Sequence, residues 1–166
     1  QMLLARVLAA CGQLDEAGAL LGQAHALVRT LRSHLYEFEC WVVHAWIALR
    51  AGDSVECIAQ VRRAFALAER YGIKSYAMWD PAVMAELCRI ALEHDVHVST
   101  VRRLIRSRGL APSAAACALD AWPWPVKILT FGRFELLVND RPVHSSTKAQ
   151  KKPLELLQVL VALGGQ

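Results

Sequence analysis

Four groups of side chains in this sequence have the types and spacing to do chemistry. His94 and His97, close to Glu93, Asp95 and Cys88, could offer two imidazole nitrogens to a metal ion. A structural zinc site needs four ligands, however, and no second pair completes the set. Cys40 and His44 in ECWVVHAW stand one helical turn apart, where an imidazole can take a proton from a thiol. A packed cysteine and a partly buried histidine account for the same residues. Arg102, Arg103, Arg106 and Arg108 in VSTVRRLIRSRGL could form the charged face of a DNA-reading helix. Their other reading is the wet side of an amphipathic helix with Val101, Leu104 and Ile105 turned inward. Lys148, Lys151 and Lys152 make a fourth cluster, a short run of positive charge that a solvated lysine cluster accounts for. No G-x-x-x-x-G-K-[ST] loop cradles a nucleotide phosphate. With no converging catalytic set, no enzymatic activity, cofactor or metal is expected.

Charge separates the two ends of the chain. Residues 1 to 100 hold 9 Lys and Arg against 11 Asp and Glu, a net of −2, whereas residues 101 to 166 hold 10 against 4, a net of +6. A basic C-terminal end is what a nucleic-acid-facing segment needs to displace phosphate counterions. Hydrophobic residues make up 55% of the chain, many of them alanine, and aromatics only 7%, a composition that favours close-packed helices over disorder. The apolar stretch CWVVHAWIAL has 10 uncharged residues, half of the roughly 20 a membrane span requires. No signal-peptide pattern is present. Five widely spaced cysteines without a C-x-x-C read as reduced, buried thiols in a cytoplasmic protein. The first residue is Gln and both ends fall inside patterned segments, so the sequence reads as a fragment of a longer polypeptide.

The elements that must carry these groups are mostly helical. CGQLDEAGALLGQAHALV (11 to 28) aligns with AGDSVECIAQVRRAFALA (51 to 68) at an offset of 40, pairing Gly12 with Gly52, Leu21 with Val61, Ala24 with Ala64, Ala26 with Ala66 and Leu27 with Leu67. Each glycine separates two amphipathic runs and can take the positive φ that ends a helix, with Asp53 or a neighbour capping the next. Each unit is therefore expected to be an antiparallel helical hairpin. Trp41 and Trp46, on one helix with Val42, Val43 and Ile47, read as core. Asp80-Pro81 opens a further helix with Val83, Met84, Leu87, Ile90 and Ala91 inward. A last helix is predicted from a Ser99 cap to a Gly109 stop.

Residues 111 to 125, APSAAACALDAWPWP, read as a linker, because Pro112, Pro123 and Pro125 deny helix continuation. Trp122 and Trp124 are expected to anchor it against the helices or the sheet and so to fix the two modules. VKILTF then alternates Val126, Ile128 and Thr130 with Lys127, Leu129 and Phe131. RFELLV follows Gly132 with Phe134, Leu136 and Val138 on one face, Asn139-Asp140 turns, and RPVH gives a short third strand. Ser145, Ser146 and Thr147 read as turn and cap residues before the helix PLELLQVLVAL, which turns Leu154, Leu157, Leu160 and Val161 inward.

Two resemblances follow from these residues. The 40-residue period and the G-x-L-D-E-A of Gly12 to Ala17 resemble tetratricopeptide-like repeats, in the expanded form found in MalT-like bacterial regulators. ILTFGRFELLVNDRPV followed by KAQKKPLELLQVLVALGG resembles the opening of the OmpR-type winged helix in the bacterial transcriptional activator (AfsR/SARP-like) family, through Gly132, Arg133, Phe134, Leu136, Lys148, Lys152, Pro153, Leu154, Leu156 and Leu157. The likeness covers about residues 126 to 166. It implies a mainly α fold of helical-hairpin repeats (1 to 110), a linker (111 to 125), and a truncated winged helix made of a small antiparallel sheet and one helix (126 to 166). It also implies a transcription regulator whose repeats bind an effector or protein partners, and whose full-length parent binds DNA. Further repeats are expected upstream of this piece, because such units bury their apolar faces only against neighbours. The base-reading helix and wing would follow it, which leaves Lys148, Lys151 and Lys152, beside the start of the first helix, as the candidate phosphate contacts that position a protein on DNA without reading sequence, or else as a solvated lysine cluster. A protein-interaction scaffold without a nucleic-acid role is the alternative.

Overall fold

The 40-residue period becomes two helical hairpins. The computed structural model describes residues 1–132, 134–143 and 148–164, with the side chains at 118 and 148–151 excepted. In it α1 (Met2–Ala10) and α2 (Leu14–Leu31) form one hairpin, and α3 (His34–Ala51) and α4 (Ser54–Tyr71) the next. α2 and α4 each have 18 residues and begin 40 positions apart. Their buried residues repeat at the same offset: Ala17, Leu21, Ala24 and Val28 answer to Cys57, Val61, Ala64 and Ala68. Of the pairs that expose the period in the sequence, Leu21 with Val61 and Ala24 with Ala64 are core. Ala26 and Ala66 are exposed, as is Leu27.

The hairpin turns share one hydrogen-bond pattern. Gly12 N–H donates to the Ala9 carbonyl (3.2 Å) and Gln13 N–H to that of Leu8 (2.9 Å), while Gly52 N–H donates to Leu49 (3.1 Å) and Asp53 N–H to Ala48 (3.0 Å). Both glycines are left-handed, at φ +85° and +77°, which a side chain reaches only with strain. The second turn adds a cap that the first lacks: the Asp53 carboxylate accepts from Glu56 N–H at 3.0 Å, whereas Gln13 makes no side-chain cap.

α3 sits at the centre, packed against α1, α2, α4 and α5. That position explains its mixed sequence. Phe38, Cys40, Val42, Val43, Ala45, Ile47 and Ala48 are buried, so nearly the whole circumference meets a neighbour. Trp41 and Trp46 depart from the expected core role, because both are only partly buried. Alanines at the α1–α2–α3 crossings, Ala5, Ala9, Ala17 and Ala24, let the backbones approach closely. Larger groups such as Phe38, Phe65 and Leu21 each contribute about 1.5–3 kcal/mol through full burial.

α5 (Pro81–Glu93) begins as expected, with Pro81 in the first turn and Asp80 Oδ1 accepting from Ala82 N–H (3.0 Å) and Val83 N–H (3.2 Å). α6 (Val98–Arg108) begins earlier than the sequence indicates. Its N-cap is His97, in a left-handed conformation at φ +44°, and Ser99 lies inside the helix. The reason is the tight connection: the buried Val96 donates to the Ala91 carbonyl at 2.7 Å, turning the chain at once with Asp95 also left-handed. Gly109 ends α6 at φ +58°, and Val101, Leu104 and Ile105 face inward.

The chain divides into two compact units, Gln1–Trp122 and Pro123–Gln166. The tail of the first unit is ordered by a 3-10 turn (Ala115–Ala118), by the buried Ala116 and Trp122, and by Arg102 Nε donating to the Ala121 carbonyl at 3.0 Å. Trp122 is thus anchored within the helical unit.

The second unit is an antiparallel meander followed by one helix. β1 (Val126–Leu129), β2 (Glu135–Val138) and β3 (Arg141–Pro142) pair in sequence order. The register sets Val126 against Val138 and Ile128 against Leu136 on one face, and Lys127 against Leu137 on the other. Asn139 and Asp140, both at positive φ, make the two-residue turn that matches strand twist, and Lys127 Nζ pairs with Asp140 Oδ1 at 2.8 Å. The strands are shorter than the alternation in the sequence; Phe131 lies outside β1 and is fully exposed. α7 spans Lys148–Ala162, so Pro153 lies inside it and not at its start. Leu154, Leu157 and Val161 are partly buried as expected, but Leu160 is 43% exposed. The cap expected at Ser145 to Thr147 falls outside the described residues.

Candidate functional site

The three lysines proposed for phosphate lie in the first turns of α7. Positions 148, 151 and 152 have the i, i+3, i+4 spacing that puts backbone positions on one face of a helix. Lys152 is exposed; the side chains at 148 and 151 fall outside those described. Of the residues that carry the winged-helix resemblance, Arg133 also lies outside the described set. Leu136 lies in β2, and Pro153, Leu154, Leu156 and Leu157 lie on α7.

The other candidate groups separate into structural roles. Arg102 holds the Ala121 carbonyl, and the Arg108 guanidinium lies 4.8 Å from the centre of the Trp79 ring, so two of the four α6 arginines serve the fold of their own unit. Arg102, Arg103 and Arg106, with Ser99 and Ser107, line a shallow basic surface. His97 Nδ1 meets Glu69 Oε2 at 2.7 Å and Thr100 Oγ1 donates to Glu69 Oε1 at 3.1 Å, which together hold the Glu69 carboxyl below its ordinary range. His97 is therefore a link between α4 and α6. Among the described residues no group of three or more His, Cys, Asp or Glu could hold a metal ion.

Cys40 is fully buried with its Sγ 3.4 Å from Met2 Sδ, and burial pushes its thiol up to about 11. A thiol so protonated is a poor nucleophile. His44 instead meets Glu56 Oε1 at 3.6 Å. All five cysteines are free; Cys57 and Cys88 are buried like Cys40, but Cys11 and Cys117 are exposed, contrary to the expectation from their apolar neighbours.

The fold assembles one further site that no motif in the sequence marks. Between α2 and α3 lies a cavity of about 720 Å³, with His25, Arg29 and Arg32 along one wall and His34, Glu37 and Trp41 along the other. The Trp41 ring is held from two helices: the His25 ring lies 4.4 Å away, tilted 49°, and the Arg63 guanidinium of α4 lies 4.9 Å from the ring centre. The His44 ring, parallel within 11°, lies 6.2 Å further along α3. At the mouth, His34 stacks on Tyr71 at 3.8 Å and its Nδ1 lies 3.6 Å from Glu37 Oε2. Burial, reinforced by His44, lowers the His25 pKa, and burial lowers that of His44, which favours the neutral form of each ring. The available sequence signal is the spacing. His25 and Arg29 fall on one stripe of α2, with Arg32 at its C-cap, and His34, Glu37 and Trp41 fall on one stripe of α3.

No family model, curated protein or solved structure matches this chain. Among the described residues no helix is long and apolar enough to cross a membrane.

Proposed function

We propose that this chain is part of a cytoplasmic, DNA-binding transcription regulator with no catalytic step of its own. The helical hairpins take up a signal from an effector or protein partner, and the sheet-plus-helix unit contributes to DNA binding. The feature that supports this reading is the order of elements, a three-stranded antiparallel meander and then α7, whose opening positions 148, 151 and 152 are all lysine in the sequence and have the spacing of one helical face. That is the order of elements with which the resembled winged helices begin. Five free thiols agree with a reducing compartment.

The lysines contact phosphate and leave base reading to other residues, so binding by this chain is weak, indifferent to sequence and sensitive to salt. Three phosphate contacts give a slope of about −2.7 in log K against log salt, roughly a 40-fold loss between 50 and 200 mM. Anisotropy of a labelled duplex measures this, and changing all three lysines to alanine removes it. No binding at low salt, or a nanomolar sequence-specific footprint, would contradict the reading.

One observation favours a second reading, a protein-interaction scaffold. From Trp124 onward no described residue is buried, and Val126, Ile128, Val138, Leu156 and Val159 are substantially exposed. Pull-down of a protein partner by a chain that fails the duplex assay would favour it.

A further inference from the structure

We propose that the α2–α3 cavity is a binding site for a small aromatic carboxylate, its ring against Trp41 and His25 and its anionic group on Arg29 and Arg32. The inference gives the sensing role of the repeats a ligand class and rests on that reading for its regulatory meaning; the binding itself does not depend on it.

The cavity divides into an aromatic end and a cationic end. At the aromatic end the Trp41 indole is partly exposed and its ring is held by His25 and Arg63, so little freedom is lost when a ligand ring packs against the part left open. His25 adds a second ring to this end of the lining. At the cationic end Arg29 and Arg32 are exposed and, among the described residues, neither forms an ion pair or hydrogen bond within the protein. Planar guanidinium groups bind carboxylate in a bidentate manner, which a lysine does not reproduce.

Charge and length narrow the ligand. Arg29 and Arg32, with Arg63 against the Trp41 ring, outnumber the one lining carboxylate, Glu37, so the site favours an anion. Along α2, Arg29 lies four residues from His25, about 6 Å at the helical rise, and Arg32 lies beyond it at the helix C-cap. A one- or two-ring acid spans that distance, and about 720 Å³ is within the usual range of small-molecule sites. Arg32 is held at the end of α2 in a left-handed conformation, φ +49°, which fixes where its side chain leaves the backbone.

The test uses three probes with one ring system and different charge: 1-naphthoate, 1-naphthalenemethanol and 1-naphthylmethylammonium. Each is titrated into the full chain by calorimetry, with the tryptophan indole N–H signals followed by NMR. Naphthoate is expected to saturate one site, to bind at least tenfold more tightly than either analogue, and to move the Trp41 signal but not that of Trp124. Arg29→Gln with Arg32→Gln is expected to weaken naphthoate at least tenfold, about 1.4 kcal/mol, while leaving the alcohol unchanged. Both arginines are exposed, so this variant keeps its helical circular dichroism; Trp41→Leu weakens all three probes. Absence of saturable naphthoate binding, equal affinity for the three probes, an unaffected double variant, or shifts confined to Trp124 would overturn the proposal. Naphthoate binding by a chain that ignores DNA would sink the regulator reading and leave the site standing. DNA binding without naphthoate binding does the reverse.

Discussion

Arg6 Nη2 and Asp80 Oδ2 lie 2.8 Å apart across 74 positions of sequence, joining the first helix to the start of the fifth. Asp80 uses its other oxygen to cap α5, and Arg6 also donates to the Met78 carbonyl. One ion pair thus ties the opening of the first hairpin to the element that follows the second. Arg6→Met keeps the aliphatic stem but strands the Met78 carbonyl and a partly buried carboxylate, and is expected to cost about 1–3 kcal/mol. Asp80→Ala removes the same pair and the cap, worth a further 0.5–2 kcal/mol or so. Thermal unfolding by circular dichroism should rank wild type above Arg6→Met and Arg6→Met above Asp80→Ala; equal midpoints would refute the tie.

Glu39, on α3, is 1% exposed and its Oε1 has no hydrogen-bond partner. Burial raises its pKa, and Arg6 opposes the rise only in part. A carboxyl that holds its proton more tightly folded than unfolded adds stability below its ordinary pKa, and that stability is lost as pH rises through the raised value. Glu39→Gln is therefore expected to raise the melting temperature at pH 7, with the gain shrinking toward pH 4. A variant less stable than wild type at pH 7 would show that the ionised form is needed.

His25 and His44 act in the opposite sense. Their pKa values are lowered by burial, with Arg63 adding to it and Glu37 and Glu56 opposing it at His25 and His44 respectively. The unfolded chain binds protons more readily, so the stability these rings contribute is present above pH 6.5 and lost as pH falls through the lowered values. Acidification from about pH 7.5 to 5.5 should lower the melting temperature, and replacing both histidines by Phe should flatten that dependence. An unchanged slope would exclude the pair as its source.

How far the sequence revealed this molecule depended on whether a feature was local. Gly12 and Gly52 mark helix ends because positive φ is a property of one residue, and Asp80-Pro81 marks a start for the same kind of reason. The buried set at Ala17, Leu21, Ala24 and Val28 was legible through its copy 40 residues on. Ser99 misled because the N-cap position was settled by the burial of Val96, a tertiary effect. Trp41 misled because an amphipathic pattern identifies a packed face but does not say that α2 and α3 leave a cavity beside it. The lysines of the candidate phosphate face were legible as a cluster; the α2–α3 groove was not, since its walls join only when two helices fold together.

Two glycine substitutions should move stability in opposite directions. Gly52 ends α3 at φ +77°, so Gly52→Ala forces a side chain into left-handed backbone although nothing lies within 4 Å of the added carbon, and costs about 1 kcal/mol. Gly18 is exposed in the interior of α2, without positive φ and with the same open surroundings. There alanine removes only unfolded-state freedom and is expected to stabilise by roughly 0.5–1 kcal/mol. Urea denaturation should show the two midpoints on either side of wild type; a shift in the same direction would mean that space, and not backbone conformation, governs these sites.

Hydrogen exchange should separate the two units. α3 and α4 enclose Phe38, Val43, Val61 and Phe65, all at most 1% exposed, and their amides open only with the global unfolding of the helical unit. β1 to β3 pair through short ladders with no buried side chain among the described residues of the sheet. A strand of two to four residues whose ladder is open to water has little apolar burial to lose on opening. Amides at Lys127, Ile128 and Leu137 should therefore exchange orders of magnitude faster than those at Val43 and Val61. Protection in the sheet equal to that in α3 would mean that something covers Val126, Ile128 and Val138 in solution, and the addition of duplex DNA or a protein partner that slows exchange there would identify which.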